Sequence, residues 1–237
     1  VVYDLYMLMD PVLGRLRERI GDDARLMVMS DHGFAPWNRA FHVNTWLYEN
    51  GYLHLEEGRD PRDVDMLLGV DWSRTRAYAI GINGLYVNLA GREAGGIVQP
   101  GAEQEALLAE LKARLEEVVD PLDGRRAIKT ADRSDQVYHG DMTRIGPDIV
   151  VGYYAGWRGS NESALGKIPA TVFEDNMLKW SGDHCIAASE VPGILMANRP
   201  VLRKDPALVD MAPTILRLFG LTPPAEMVGG DLFGTEK

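Results

Sequence analysis

Residues 25–42 read RLMVMSDHGFAPWNRAFH. Leu26, Met27, Val28 and Met29 form an apolar run fit for a buried strand, and the run breaks at once into Ser30, Asp31, His32 and Gly33. Two adjacent ionisable side chains are costly to bury without partners, so a core strand that ends on them must deliver them outside the apolar layer. Neighbouring strand side chains point to opposite faces. Asp31 and His32 therefore act together only once the backbone has left the strand, which Gly33 makes easy. This places the pair at the carboxyl end of a strand, the edge where open α/β sheets put their ligands. A hard carboxylate oxygen beside an imidazole nitrogen is half of a zinc or manganese site. The alternative is an Asp31 that caps the next helix and a His32 in a surface loop.

The pattern around this stretch predicts an α/β layered fold, with buried strands interleaved with amphipathic helices. Met9, Leu13, Leu16 and Ile20 recur at helical spacing, with Pro11 either starting a fresh helix after Asp10 or kinking a longer one, and Gly21 ends it. Residues 24–29, 148–153 and 193–196 read as buried strands. Residues 37–55 read as a short helix ending at Asn50-Gly51 followed by an extended piece, and Asn83-Gly84 between two apolar runs signals a hairpin. A helix is predicted from about Ala102 to Val119 with Leu107, Leu111, Leu115 and Val118 on one face. Residues 155–163, rich in glycine and serine, read as a loop. A last helix spans 210–220, with Asp210 as its cap, Pro213 in its first turn and Gly220 as its stop. Residues 50–145 are an excursion that forms a small subdomain or insertion within one catalytic domain.

Composition narrows the function. The chain has 237 residues, 46% of them hydrophobic, enough for a sizeable core, and a net charge of -10. Such an acidic surface repels phosphate backbones, so no nucleic acid groove is expected. No apolar run reaches the length of a membrane span. The single cysteine, Cys185, excludes an internal disulfide and leaves the compartment open. A second histidine turn, Ser181-Gly182-Asp183-His184, again precedes an apolar segment, with Asp183 read as a turn former.

The two histidine turns, in this order and with their flanks, resemble the alkaline phosphatase superfamily, and within it the type I phosphodiesterase/nucleotide pyrophosphatase branch. The likeness is carried by LMVMSDHGF (26–34), INGLYVNLAGRE (82–93), GPDIVVGY (146–153), SGDH (181–184), PGILMANRP (192–200) and DMAPTILRLFGLTPP (210–224), closing with MVGGDLF. It implies an alkaline-phosphatase-like three-layer α/β/α sandwich with a mainly parallel sheet, incomplete on its N-terminal side. It also implies two divalent metals, zinc or manganese, with Asp31 and His32 matching ligands of one and His184 a ligand of the other. The implied substrate is a small-molecule phosphate ester.

The family pattern also needs an earlier Asp, a Thr or Ser nucleophile and an Asp-x-x-x-His element, and the segment before Asp31 holds no histidine. The sequence therefore reads as the C-terminal part of a larger enzyme. It lacks the nucleophile and part of the ligand set and is expected to be inactive alone; its exposed apolar sheet edge leaves it either marginal alone or self-associated, unless the missing segment covers it. The motifs leave open a phosphoglycerate-mutase-like, phosphonate-hydrolysing or sulfatase relative, and a non-catalytic scaffold. Arg39, His42 and Asn44, close behind the first histidine turn, are candidate substrate contacts, with a half-buried amphipathic helix as the alternative. His54 and His139 read as surface residues and Cys185 as a small buried thiol.

Overall fold

The computed structural model describes residues 2–234. In chain order its first elements are α1 (Val2–Ile20), β1 (Met27–Met29), β2 (Ala35–Phe41), α2 (Val43–Glu49), β3 (Ala77–Ala79), β4 (Gly84–Val87) and α3 (Ala102–Glu116). There follow β5 (Ile128–Arg133), α4 (Ser134–Val137), β6 (Ile149–Tyr153), β7 (Gly156–Gly159), α5 (Asn161–Ala164), β8 (Phe173–Asp175), β9 (Gly182–Asp183), β10 (Leu195–Ala197) and α6 (Met211–Leu218). The chain divides into two compact units, Val1–Asp31 with Gly193–Lys237, and His32–Pro192. Among the described residues, no helix is long and apolar enough to cross a membrane.

In the first unit α1 is one helix that carries Pro11 within it and stops at Gly21, whose positive φ lets its N–H reach the Arg17 carbonyl. β1 pairs antiparallel with β10, Val28 opposite Met196. The Asn198 side chain prolongs the pair, accepting from Leu26 N at 2.9 Å and donating to Ala24 O at 2.9 Å. Neither strand is buried, contrary to the sequence expectation for residues 24–29 and 193–196. A three-residue strand with a partner on one edge only has no second layer of strands to close over it. Asp210 does not cap α6 with its side chain. Its buried carboxylate instead accepts from Ala207 N and Gly230 N and pairs with Arg203 at 2.8 Å, closing a loop around the helix start.

The second unit, which contains residues 50–145, holds the core. One sheet has the order β3-β4-β6-β5, antiparallel throughout, with Asn83-Gly84 leading into β4 as the hairpin signal predicts. α3 packs on this sheet through Leu107, Leu111 and Leu115, all fully buried, and ends at Glu116, so Val118 is buried from the turn beyond it. The other sheet is centred on β2, paired with β7 on one side and, on the other, with β8 along its C-terminal half and β9 along its N-terminal half.

The mixed α/β class stands, but the strand directions do not follow the mainly parallel expectation. Of the named strand pairs, β2–β7 is parallel and the others are antiparallel. Parallel neighbours need long crossovers, whereas β3–β4 and β5–β6 are consecutive strands that pair directly with each other. Two local readings are also corrected. Residues 37–41 are strand, not helix, and the helix begins at Val43. Residues 155–163 hold β7 and the short α5, whose cap Ser160 accepts from Ser163 N at 2.9 Å.

Candidate metal centre

His32 opens the second unit and leads directly into β2, while His184 follows β9, the strand paired to the start of β2. Ala35 lies opposite Asp183 and Pro36 opposite Gly182, so the register brings the two histidine turns to one end of the sheet. The imidazole rings stack, centroids 3.8 Å apart and planes within 7°. Gly33 is required here for space. A Cβ on it would stand 2.8 Å from the Pro192 carbonyl oxygen, while its own N–H donates to Val191 O at 2.8 Å.

The ring orientation sets the chemistry. His32 Nδ1 lies 2.8 Å from Gly33 O, and a carbonyl can only accept, so Nδ1 carries a proton. Backbone carbonyls fix the tautomer of metal-ligating histidines in the same way. The His184 ring is 42% exposed. Asp31, one peptide bond before His32, is exposed.

Behind His184 sits a buried charge pair that the sequence reading did not single out. Asp183 Oδ1 accepts from His184 N at 2.7 Å and Cys185 N at 3.0 Å, and Oδ2 lies 2.8 Å from Arg158 Nε. Burial works to raise the Asp183 carboxyl, but these two N–H groups and Arg158 outweigh it and hold the acid below its ordinary range. Arg158 lies 4.2 Å over the Trp37 ring and donates to Asn161 Oδ1 at 2.9 Å. Asp183, His184 and Cys185 bring ligand-type atoms within 4.8 Å of one another. Of these, Asp183 is already saturated. Burial and the neighbouring Asp183 push the Cys185 thiol up, away from the thiolate a metal needs. Cys185 is also only partly buried, where a buried thiol was expected. The two stacked imidazoles are the nitrogen-bearing side chains of this rim.

The three residues proposed as substrate contacts have other duties. Asn44 is fully buried and its amide is spent on one backbone unit, donating to Ala79 O at 2.9 Å and accepting from Ala79 N at 2.8 Å. His42 is fully buried between Ser160 Oγ at 2.7 Å and Glu174 Oε2 at 3.3 Å. Arg39 is clamped by two carboxylates, Asp120 through Nε at 2.6 Å and Nη2 at 3.1 Å, and Asp175 through Nη1. Their place on and after β2 explains the correction. β2 is paired along both edges, and α2 packs inward with Val43 to Leu47 buried. His54 is half-buried, with Nε2 3.2 Å from Gly51 O, whereas His139 is exposed as expected.

Comparison with known proteins bears on the family, and the match ends before the second histidine turn at 181–184. No curated protein matches the chain. The family described as type I phosphodiesterase / nucleotide pyrophosphatase matches residues 2–170, most of the sequence and the whole of the first histidine turn. The chain therefore belongs to the type I phosphodiesterase/nucleotide pyrophosphatase family, whose chemistry is the hydrolysis of phosphodiester and pyrophosphate bonds.

Proposed function

We propose that this chain supplies one side of a two-metal phosphodiesterase or nucleotide pyrophosphatase centre, in which Asp31 and His32 ligate one divalent cation and His184 the other. Zinc or manganese suits these nitrogen and carboxylate donors. The observation that carries the proposal is the stacking of His32 on His184 at 3.8 Å, from turns far apart in the sequence. When bound, such a pair of cations stabilises the attacking and leaving oxygens of an in-line displacement and lowers the pKa of a bound hydroxyl. The protein's own part is positional: Gly33 O sets the His32 tautomer, and Asp183 pins the backbone that bears His184. The substrate is assigned to a small-molecule phosphate ester.

The test uses bis(4-nitrophenyl) phosphate and zinc or manganese with the full-length protein. His32→Ala and His184→Ala are each expected to lower kcat/KM by at least about a hundredfold, the loss expected when one ligand of a catalytic metal is removed. They are also expected to reduce the zinc bound per chain. Hydrolysis that survives the combined loss of Asp31 and His32 overturns the assignment.

A further inference from the structure

Within the second unit, α3, the end of β5 and the segment before β6 border a cavity of about 250 Å³. It lies well apart from the histidine pair. Asp148, on its wall, precedes β6, whereas Tyr153 at the far end of β6 accepts from Ala187 N, three residues beyond His184. Five strand residues, roughly 17 Å of chain, separate the two places.

The wall carries three carboxylates and three guanidinium groups, and they do not pair off evenly. Glu105 and Asp135 both hold Arg133, each at 2.6 Å, and Asp148 holds Arg92 at 2.6 Å. Every carboxylate of the wall is thus taken. Arg144 has no ion pair and no hydrogen bond among the described residues, so the one uncompensated charge on the cavity is positive, on a chain of net charge -10. A guanidinium offers five N–H donors. Arg133 spends four on Glu105 and Asp135, and Arg92 four on Glu93, Asp148 and Val87 O, which leaves each with one N–H at Nη1. A second, independent sign is Ser134, also on the wall. It is 4% exposed, its N–H donates to Asp148 O at 3.0 Å, and its hydroxyl has no partner. Buried hydroxyls are seldom left so, because the group has given up water for nothing.

We propose that this cavity is a second binding site, which takes a small oxyanion, phosphate or carboxylate, with Arg144 supplying the charge and Ser134 Oγ a hydrogen bond. A planar guanidinium fork matches the paired oxygens of either group. The spare Nη1 donors of Arg92 and Arg133 add to the same preference. A cation is disfavoured, since each carboxylate it needs is already neutralised by an arginine. The size also selects: the cavity falls below the roughly 300–1,000 Å³ that drug-sized ligands occupy, so inorganic phosphate or an acid of a few carbons fits and a nucleic acid does not. The site is independent of the metal-centre reading.

Inorganic phosphate and succinate test it by calorimetric titration into the whole chain, stripped of metals on a chelating resin so that no cation sits at the histidine pair. Saturable binding of at least one of them, at one per chain, is expected, and the tighter of the two shows whether the natural ligand is a phosphate or a carboxylate. Arg144→Ala is expected to weaken it at least about tenfold, the loss of a hydrogen bond to a charged group, and Arg144→Lys to keep part of it. Arg144 is exposed, so the core is untouched. Ser134→Ala is expected to weaken binding by about three- to tenfold while leaving the urea midpoint unchanged or raised, since the hydroxyl has no protein partner to lose. No binding of either probe at millimolar concentration overturns the site, as does binding that Arg144→Ala and Ser134→Ala leave unchanged. Binding that is lost in His184→Ala and kept in Arg144→Ala places the anion at the histidine pair and overturns the second site while sparing the metal-centre reading.

Discussion

Exchanging Asp183 for asparagine separates the charge of this residue from its shape. Asparagine keeps one carbonyl oxygen for the N–H groups of His184 and Cys185, now at 2.7 and 3.0 Å. It replaces the other oxygen, 2.8 Å from Arg158 Nε, by an NH2 group that opposes a guanidinium. Both side chains are 7% exposed, so the charge left behind is a buried one. Removing one partner of such a pair costs about 3–5 kcal/mol. Arg158 keeps Asn161 Oδ1 at 2.9 Å and the Trp37 face at 4.2 Å, which puts Asp183→Asn at the lower end, about 3 kcal/mol. With a urea m-value of about 2 kcal/mol/M, the midpoint falls by about 1.5 M. All five tryptophans lie in His32–Pro192, so their emission reports this unit directly. The pH dependence has a definite sign. A carboxyl held below its ordinary 3.8 contributes stability that is complete above that value and is lost as pH falls through the lower folded value. The gap between the native protein and Asp183→Asn is therefore constant from about pH 5 to 8 and narrows in acid below about pH 4. A midpoint shift under about 0.5 M, or a gap that ignores acid, refutes the view of Asp183 as a buried, neutralised anchor.

Two other perturbations probe the surroundings. Burial holds the His42 imidazole below its ordinary 6.5, against the opposing pull of Glu162 and Glu174, so its contribution to stability is complete above about pH 6.5 and declines as pH falls toward the lower folded value. His42→Gln is expected to flatten that slope, read as the change in urea midpoint between pH 7.5 and 5. At Gly33 an added methyl meets backbone rather than a movable side chain, so Gly33→Ala is expected to cost about 1–3 kcal/mol, as overpacking does, and to weaken zinc binding by shifting His32. Unchanged stability and zinc affinity in that variant are inconsistent with the close approach of Gly33 to Pro192.

Much of the frame is legible in the residues, because it follows from local pattern. The Leu107-Leu111-Leu115 stripe is a helix whichever strands it covers, and residues 149–153 are apolar enough to be a strand in any sheet. β2 and β7 are illegible for the opposite reason. APWNRAF carries Pro36, Asn38 and Arg39, and GWRG begins and ends in glycine, so neither alternates. Each becomes a strand through its partner: Arg39 opposite Trp157, Phe41 opposite Gly159 and, on the far edge, Asp175 and Phe173. The same contrast divides the site. His32 and His184 announce themselves by sitting in glycine turns beside apolar runs. Arg158 has no local sign at all, and Asp183 looks like any turn residue until Arg158 is found against it.

Arg39, His42 and Asn44 show where proximity in sequence misleads. They follow the first histidine turn closely, and loops near such turns commonly hold substrate. That inference assumed that the chain stays at the rim after Gly33, whereas β2 carries it back into the sheet. A polar side chain on a doubly paired strand must find protein partners, since unsatisfied buried polar groups cost about 1–3 kcal/mol each. Arg39 finds Asp120 and Asp175, His42 finds Ser160 and Glu174, and Asn44 finds the Ala79 backbone. What remains at the rim is what the strand has not yet absorbed at its first turn: the His32 ring, the exposed Phe34, and across from them the ring of His184. Asp183 sits beside that last ring, but Arg158 and two N–H groups take its carboxylate, and His184 Nδ1 stands 3.6 Å from it, beyond hydrogen-bond length. The arrangement thus keeps a carboxylate in place to fix the backbone of His184 while leaving the imidazole uncommitted to it.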